Sequence, residues 1–166
     1  MPSKLTDPRE LFVHKLGVVL KSERQIEKVL PKLQQEAQSP QLQQLFEHHL
    51  QETKEHISNV EQAFELLGEK PKENPSRVTE GLDKEHRELR DEVGDELIDM
   101  VAAGAAAATE HHEIAAYETL ITMADALGET EVVHLLEQNF DQERHTLEEV
   151  KKASQQLVNR AAGVSV

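Results

Sequence analysis

The chain of 166 residues has a net charge of −14 and contains no cysteine. The charge makes nucleic acids and anionic membranes poor partners, and the lack of thiols excludes disulfides, thiolate catalysis and cysteine-ligated metals. Aromatic residues make up only 3% of the chain, whereas strong helix formers dominate. We therefore expect residues 1–166 to form a single all-α domain.

The first predicted helix begins after Thr6, where Asp7 can cap it, Pro8 suits its first turn and Glu10 completes a capping box. Apolar residues then recur every three or four positions until near Gln38, a spacing typical of a helix-bundle seam. This stripe contains Phe12, Leu16, Val19, Ile26, Leu30 and Leu33, and one of its positions holds Glu23.

The second predicted helix starts at Ser39-Pro40 and stops at Gly68. His49, Glu52 and His56 share one edge of it, because spacings of three and four keep side chains together. A polar connector follows, and Ser76 can then cap a short helix that runs to about Glu92. Val78, Leu82 and Leu89 are predicted to form the thin apolar edge of that short helix.

The third long helix is predicted to run from Gly94 to Leu127, with an alanine-rich run at 102–108 that allows close approach to a neighbour. Glu110 lies on its core-facing stripe and Glu113 near the edge of that stripe. Thr130 is predicted to cap the fourth long helix, whose core stripe includes Glu143.

A weak internal repeat relates the two halves of the chain. Moving 87 residues takes Glu23 to Glu110, and moving 90 takes Phe46 to Leu136. Each half is a helix hairpin with a short turn, and a connector of about 25 residues joins the halves. This order of connections predicts a ferritin-like four-helix bundle with a long crossover, containing a short extra helix, between helices two and three.

Buried carboxylates are usually paired, protonated or bound to metal, because burying a lone charge is costly. The predicted metal ligands are therefore Glu23, Glu52, His56, Glu110, Glu113 and Glu143. Carboxylates with imidazole suit iron or manganese, and a bridging carboxylate can hold two divalent ions. The alternative for each glutamate is a buried stem whose charged head reaches water.

Other polar residues near these positions have open roles. Either His49 or His56 can be the imidazole ligand from the second helix, although we expect His49 to lie beside the site or at the surface. Tyr117 is expected in the core, and its alternative role is a hydrogen bond to a ligand carboxylate. The remaining histidines expected to be solvated are His48, His111, His112 and His145.

Glu110-His111-His112-Glu113-Ile114-Ala115-Ala116-Tyr117 resembles the "EHYEIAxYxTL" segment of the ferritin-like stress proteins of the YciE/YciF type. Ser22-Glu23-Arg24-Gln25, Leu30-Pro31-Lys32 and His49-Leu50-Gln51-Glu52-Thr53 match the "AEKQ", "LPK" and "HLEET" segments of that family. The resemblance extends over about residues 7 to 157. It implies a homodimer and a dimetal centre, with iron favoured over manganese, linked to stress responses.

Two positions depart from this pattern. His112 replaces the usual tyrosine of the family, so no role of that tyrosine is carried over. Glu143-Arg144-His145-Thr146 has threonine where a Glu-x-x-His motif has histidine, and in the second helix His56 follows Glu52 by four residues. The resemblance therefore implies a site that is poor in histidine.

The favoured hypothesis is a non-haem dimetal protein that reacts with oxygen or peroxide. The alternative is a structural or interaction dimer with a degenerate metal site, and a third hypothesis, an iron-storage cage, lacks any supporting feature of its own. The start of the chain has no signal-peptide pattern, and the longest apolar run is too short to span a bilayer. A cytoplasmic location without membrane attachment is therefore expected.

Overall fold

A computed structural model describes residues 4–164. Within this range the chain forms five α-helices and one 3-10 turn at Asp95–Leu97. The helices are α1 (Pro8–Glu36), α2 (Pro40–Leu66), α3 (Arg77–Glu92), α4 (Ile98–Ala126) and α5 (Thr130–Ala161). The four long helices α1, α2, α4 and α5 form the bundle, and α3 lies in the crossover. The predicted all-α bundle with a long crossover and a short extra helix is confirmed.

Local sequence signals explain where several helices begin and end. Asp7 caps α1, because its Oδ1 accepts hydrogen bonds from the backbone N–H groups of Arg9 at 2.7 Å and Glu10 at 3.3 Å. Gly68 and Gly128 follow α2 and α4 with φ angles of 73° and 76°. This left-handed conformation suits glycine at a helix C-terminus.

The start of α2 depends on a residue from another helix. Asp99 of α4 accepts hydrogen bonds from the backbone N–H groups of Gln38 at 2.7 Å and Ser39 at 2.8 Å. A carboxylate distant in sequence therefore satisfies donors in the turn between α1 and α2, and the N-cap residue Ser39 makes no capping hydrogen bond with its side chain. At the start of α5 the cap position is held by Glu129, and Thr130 is the first helical residue, so the predicted cap was wrong by one position.

The core consists of two apolar clusters separated along the bundle axis. One cluster contains Phe12, Leu16, Leu20, Val60, Phe64, Leu120 and Leu136. The other contains Ile26, Leu30, Leu33, Leu42, Phe46, Ala103 and Val150. On α1 and α5 the buried residues between the two clusters include Glu23 and Glu143, which are both fully buried. The bundle therefore encloses a layer of charged side chains between two apolar layers.

The buried edge of α3 differs from the predicted one. Val78 and Leu89 are 52% and 46% exposed, whereas the buried residues of α3 are Thr79 and His86. The Thr79 hydroxyl lies 2.6 Å from the Ser22 hydroxyl of α1. Because hydrogen bonding satisfies this buried polar group, α3 can turn its polar edge inward. The predicted apolar edge is therefore wrong for Val78 and Leu89.

The connector before α3 packs closely on α1 at Gly17. The backbone N–H of Asn74 donates to the Gly17 carbonyl at 3.0 Å. A Cβ added to Gly17 would lie 2.5 Å from both Asn74 Nδ2 and the Lys72 carbonyl oxygen. A side chain at this position would therefore displace the connector. Among the helices of residues 4–164, none is both long and apolar enough to cross a membrane.

Candidate metal centre

The layer between the two apolar clusters contains all six predicted ligands. Each of these residues is buried, and the Oε1 atom of Glu52 faces the exposed His48 ring at the edge of the layer. The alternative of a charged head in water therefore does not describe the other four glutamates. The residues are Glu23 on α1, Glu52 and His56 on α2, Glu110 and Glu113 on α4, and Glu143 on α5. We call this set, together with His49, the polar layer.

Two groups of three residues in the described chain have the geometry to hold a metal ion. One group is Glu23, His56 and Glu143, and the other is His49, Glu110 and Glu143. In each group, one ligand atom per residue lies within 4.8 Å of the others. Because Glu143 belongs to both groups, its carboxylate is placed between two candidate ion positions.

His56 is oriented by contacts on both sides of its ring. Its Nδ1 lies 3.1 Å from Glu143 Oε1 and 3.4 Å from Glu23 Oε1. On the other side, Nε2 is 2.8 Å from Gln142 Oε1. Since an amide oxygen can only accept, Nε2 carries a hydrogen and Nδ1 faces the two carboxylates. Ligand histidines in metalloproteins are commonly oriented in this way by a partner of the second ring nitrogen.

His49 lies inside the polar layer, although we expected it beside the site or at the surface. Its Nε2 is 3.2 Å from Glu110 Oε1 and 4.0 Å from Glu143 Oε2. The helical edge that it shares with Glu52 and His56 was visible in the sequence and could have indicated this position. Of the histidines expected to be solvated, His112 is the exception, because it is half-buried.

Glu52 lies next to His49 and outside both groups of three. Its Oε2 is 3.7 Å from His49 Nδ1 and accepts a hydrogen bond from the Thr146 hydroxyl at 3.0 Å. The exposed His48 ring approaches Oε1 at 3.3 Å. In this position the Glu52 carboxylate faces the ring nitrogen of His49 that points away from Glu110, and so helps to orient that ring.

Glu113 also lies outside the two groups and is the end of a chain of hydroxyl groups. The Ser22 hydroxyl donates to Glu113 Oε1 at 2.5 Å and lies 2.6 Å from Thr79 Oγ1. The Ser76 hydroxyl donates to Thr79 at 2.9 Å. Since each hydroxyl has one hydrogen, Thr79 must donate to Ser22. The crossover helix α3 is therefore connected to the polar layer through Ser22 of α1.

Tyr117 takes the alternative role described above and is more than a core residue. Its hydroxyl donates to Glu23 Oε1 and accepts a hydrogen bond from Asn139 Nδ2 at 3.0 Å. Asn139 also donates to the backbone carbonyl of His56 at 3.2 Å. Asn139 was missed at the sequence level, although it is buried and lies one turn before Glu143 on α5.

Burial and mutual charge shift the pKa values of the first group. Burial raises the pKa of Glu143, and the negative charge of Glu110 adds to this effect, so that the pKa reaches about 8. Burial alone would lower the pKa of His56, but the negative charges of Glu23 and Glu143, whose oxygens lie 3.4 Å and 3.1 Å from its Nδ1, outweigh burial and raise the pKa to about 11. The metal-free layer therefore retains protons at neutral pH.

The other residues of the layer are shifted for the same reasons. Burial, followed by the charges of Glu23 and Glu143, raises the pKa of Glu113 well above its ordinary value. Burial opposes protonation of His49, but the Glu110 charge raises its pKa well above the ordinary value. Burial opposes ionisation of Glu110, and the positive charge of His49 lowers its pKa. Each buried imidazole thus acts as a counter-ion to a neighbouring carboxylate.

Several buried atoms of the layer lack a hydrogen-bond partner among the described residues. They are Oε2 of Glu23, Glu110 and Glu113, both oxygens of Glu143, and Nδ1 of His49 and His56. Unpaired buried polar atoms are costly and therefore rare in native proteins. Carboxylate oxygens and imidazole nitrogens that converge in this way form a suitable ligand set for divalent iron or manganese.

The internal repeat shows how the site departs from the usual ligand motif. In ferritin-like dimetal bundles, two helices each provide a glutamate and the other two each provide a Glu-x-x-His motif. Moving 90 residues takes Thr53 to Glu143 and His56 to Thr146. Here α2 has the histidine of that motif, His56, but Thr53 at the glutamate position. In α5 the glutamate, Glu143, is present, but Thr146 occupies the histidine position. Both threonines are buried. His49 brings a second imidazole to the layer.

Comparison with known proteins identifies the family. The model of the family described as a domain of unknown function, DUF892, matches residues 7–163. Protein YciF of Escherichia coli is 32% identical over 139 residues, which span 82% of this chain and 84% of YciF.

Two solved structures are also similar to the chain. The crystal structure of the E. coli stress protein YciF has a TM-score of 0.88 at 30% identity and covers 93% of this chain and 99% of that one. YcfI from Rhodopseudomonas palustris, whose description proposes a structural role, has a TM-score of 0.82 at 34% identity and covers 95% and 96%. The chain therefore belongs to the DUF892 family and has the ferritin-like helical bundle of its relative YciF.

Proposed function

We propose that the protein is a non-haem dimetal protein that holds two divalent ions, iron in preference to manganese, in the polar layer. The observation that carries this proposal is the position of Glu143 in both three-residue groups. Its two oxygens are buried and unpartnered among the described residues. A carboxylate shared by two sites is the arrangement that a pair of ions requires.

The charge of the layer supports a pair of ions. The five carboxylates of the layer carry five negative charges when ionised, and two divalent cations would neutralise four of these charges if both histidines are neutral. Two cations would therefore offset the cost of burying these carboxylates in one layer.

Each group of three would bind one ion, and neighbouring residues have supporting roles. Gln142 keeps the Nδ1 atom of His56 directed into the layer, and Tyr117 fixes one oxygen of Glu23. Glu52 faces the outer ring nitrogen of His49. When bound, a pair of iron ions would supply electron exchange with oxygen or peroxide. Such chemistry agrees with the description of the relative YciF as a stress protein.

A structural role is the second candidate function. His56 already neutralises carboxylates in the metal-free layer, because its pKa is raised to about 11, and YcfI is described as having a proposed structural role. In this case two copies of the chain would form a homodimer. The exposed Val78, Leu89 and Leu97 provide apolar surface for such pairing. Sedimentation of the purified protein would measure its oligomeric state.

Metal binding by the purified full chain tests the first proposal. Anaerobic titration with ferrous iron and with manganese should show two ions per chain and a rise in melting temperature. Glu110→Gln should reduce the stoichiometry to one ion, whereas Glu143→Gln should weaken both sites. Glu149→Gln, at an exposed position on the same helix as Glu143, is the matched control and should bind as the parent does.

If the role is structural, neither metal should raise the melting temperature of the protein. If neither metal raises the melting temperature of the parent protein, the dimetal proposal must be dropped in favour of the structural role. If the ions bind, oxygen uptake by the iron-loaded protein tests the redox step. Under the cytoplasmic location that we propose, the donor of electrons would be a soluble reductant.

A further inference from the structure

A cavity of about 240 Å³ lies beside the second group of the polar layer. Its lining comes from α1, α2, α3, α4 and α5, and it includes His49 and Glu110. The exposed residues Lys28 and Lys32 of α1 also line it, so the cavity extends from the candidate metal centre to the protein surface. Its position makes it a route by which a small molecule could reach His49 and Glu110.

The walls of this cavity are mostly apolar. They contain Ile26, Leu30 and Leu33 of α1, Leu45 and Phe46 of α2, and Ala106 of α4. An engineered apolar cavity of about 150 Å³ is large enough to bind benzene. By comparison, this cavity suits a molecule with roughly ten non-hydrogen atoms, larger than a single unsubstituted ring.

Two polar side chains in the lining have capacity for a hydrogen bond to a ligand. His86 of α3 is 7% exposed, and neither its Nδ1 nor Gln25 Oε1 has a hydrogen-bond partner among residues 4–164. Buried polar atoms of this kind usually find a partner. A ligand hydroxyl can donate to Gln25 Oε1 or pair with His86 Nδ1, whereas a ligand carbonyl can only accept, from the Nδ1–H tautomer of His86.

The lining contains two basic and two acidic side chains, so its charge favours neither an anion nor a cation. An anion would meet the carboxylates of Glu110 and Asp83, on a chain whose net charge is −14. A cation would meet the amino groups of Lys28 and Lys32 at the outer end. Transfer of a neutral molecule into an apolar cavity avoids the desolvation cost of either charge.

We propose that this cavity binds a neutral, mostly apolar organic molecule with one hydroxyl or carbonyl group, such as a small phenol, and places it against His49 and Glu110. The binding itself depends on the cavity alone. The role of the bound molecule as a substrate of the metal centre rests on the proposed function. Ligand binding to the cavity and metal binding to the polar layer can therefore be measured separately.

The first experiment uses para-ethylphenol as the probe and the full chain freed of metal by a chelator. Calorimetry should show saturable binding, at least tenfold tighter than binding of the anion para-ethylbenzoate. Methyl NMR signals of Ile26, Leu45 and Ala106 should shift, since these residues line the cavity. Absence of saturable binding, or shifts confined to other parts of the bundle, would overturn the proposal.

Cavity variants provide the specificity control. Ala105→Leu should abolish probe binding by filling the cavity, whereas Ala115→Leu, which adds the same volume at an exposed position of α4, should leave binding unchanged. If Ala105→Leu does not fold, Leu82→Ala enlarges the cavity from α3 and should bind the longer para-butylphenol at least tenfold tighter than the parent. Parent-like binding in the folded variants would contradict the proposed location.

Manganese-loaded protein then distinguishes the cavity from the metal centre. Bound para-ethylphenol should show paramagnetic line broadening in the parent protein but not in Glu143→Gln. A melting-temperature rise with manganese but no phenol binding would overturn the cavity proposal and leave the proposed function intact. Phenol binding without metal binding would overturn the proposed function and leave the cavity proposal intact. Binding of both without broadening would overturn the placement of the ligand beside His49 and Glu110.

Discussion

Tyr117 on α4 donates a hydrogen bond to Glu23 on α1 within the polar layer. Because Asn139 of α5 donates to the same hydroxyl, three of the four long helices are joined at one buried oxygen atom. This contact fixes one oxygen of Glu23 and leaves its Oε2 without a partner among the described side chains. The tyrosine therefore orients a candidate ligand.

Tyr117→Phe should lower the free energy of unfolding of the metal-free protein by about 1–3 kcal/mol, because buried groups on Asn139 and Glu23 lose their partner. Urea denaturation measures this change. Thr119→Val, at an exposed position of the same helix, should change stability by less than about 0.5 kcal/mol. Equal stability of the two variants would show that the Tyr117 hydroxyl contributes nothing.

The stability of the metal-free protein should fall as the pH rises. The pKa of Glu143 is raised from 4.5 to about 8 and that of His56 from 6.5 to about 11. Between the unfolded and folded values the native protein binds more protons than the unfolded chain, so the free energy of unfolding decreases with pH. The stabilisation that depends on protonated Glu143 is fully present below pH 4.5 and is lost by about pH 8. The stabilisation that depends on protonated His56 is lost between pH 6.5 and about pH 11.

Melting temperatures measured with chelator from about pH 5 to about pH 9 would check this slope. Glu143→Gln should flatten the acidic half of the curve, whereas Glu149→Gln should not. Saturating metal should also flatten it, because the ions replace the bound protons. A metal-free parent protein whose stability rises with pH in this range would contradict the assigned protonation.

Substitution by alanine should have opposite effects on stability at two helical glycines. At Gly17 the new methyl group would lie 2.5 Å from Asn74 Nδ2 and the Lys72 carbonyl, so Gly17→Ala should destabilise the protein by roughly 1–3 kcal/mol. At Gly104 a Cβ meets open space within the described part of the chain. Gly104→Ala should therefore stabilise α4 by about 0.5–1 kcal/mol. Denaturant midpoints of both variants test this pair, and a change of the same sign in both would be inconsistent with the connector packing on Gly17.

Hydrogen exchange should divide α3 into a slow and a fast part. The amides at 80–83 follow the buried contact between Thr79 and Ser22, while Leu89 near the other end is 46% exposed. We expect the amides at 89–92 to exchange faster than those at 80–83, and both to exchange faster than the helices around Glu23. Exchange followed by mass spectrometry resolves these segments.

Ser22→Ala supplies the control for this prediction. Loss of its hydroxyl breaks the link from Thr79 to Glu113, so exchange at 80–83 should accelerate while exchange at 89–92 stays unchanged. Uniform protection along α3 in the parent protein would contradict this division of the helix.

The sequence alone predicted the four long helices and the short helix of the crossover, because these depend on local signals: apolar spacing, the Asp7 cap, and the glycines at 68 and 128. It also placed Glu23 and Glu143 in the core. A carboxylate in an apolar stripe can be recognised from neighbours on the same helix, and the internal repeat related Glu23 to Glu110. Their role as metal ligands remains a prediction.

Only the tertiary structure decided which polar groups meet. His49 and His56 lie on the same edge of α2, so the sequence could not choose between them, and the structure gives one to each group because Glu110 and Glu23 approach from different helices. The contacts of Asp99 with the turn between α1 and α2, the hydroxyl chain from α3 and the cavity beside His49 likewise combine residues far apart in the chain. Local periodicity shows which face of a helix is buried, but the partner of that face is fixed only when the helices pack.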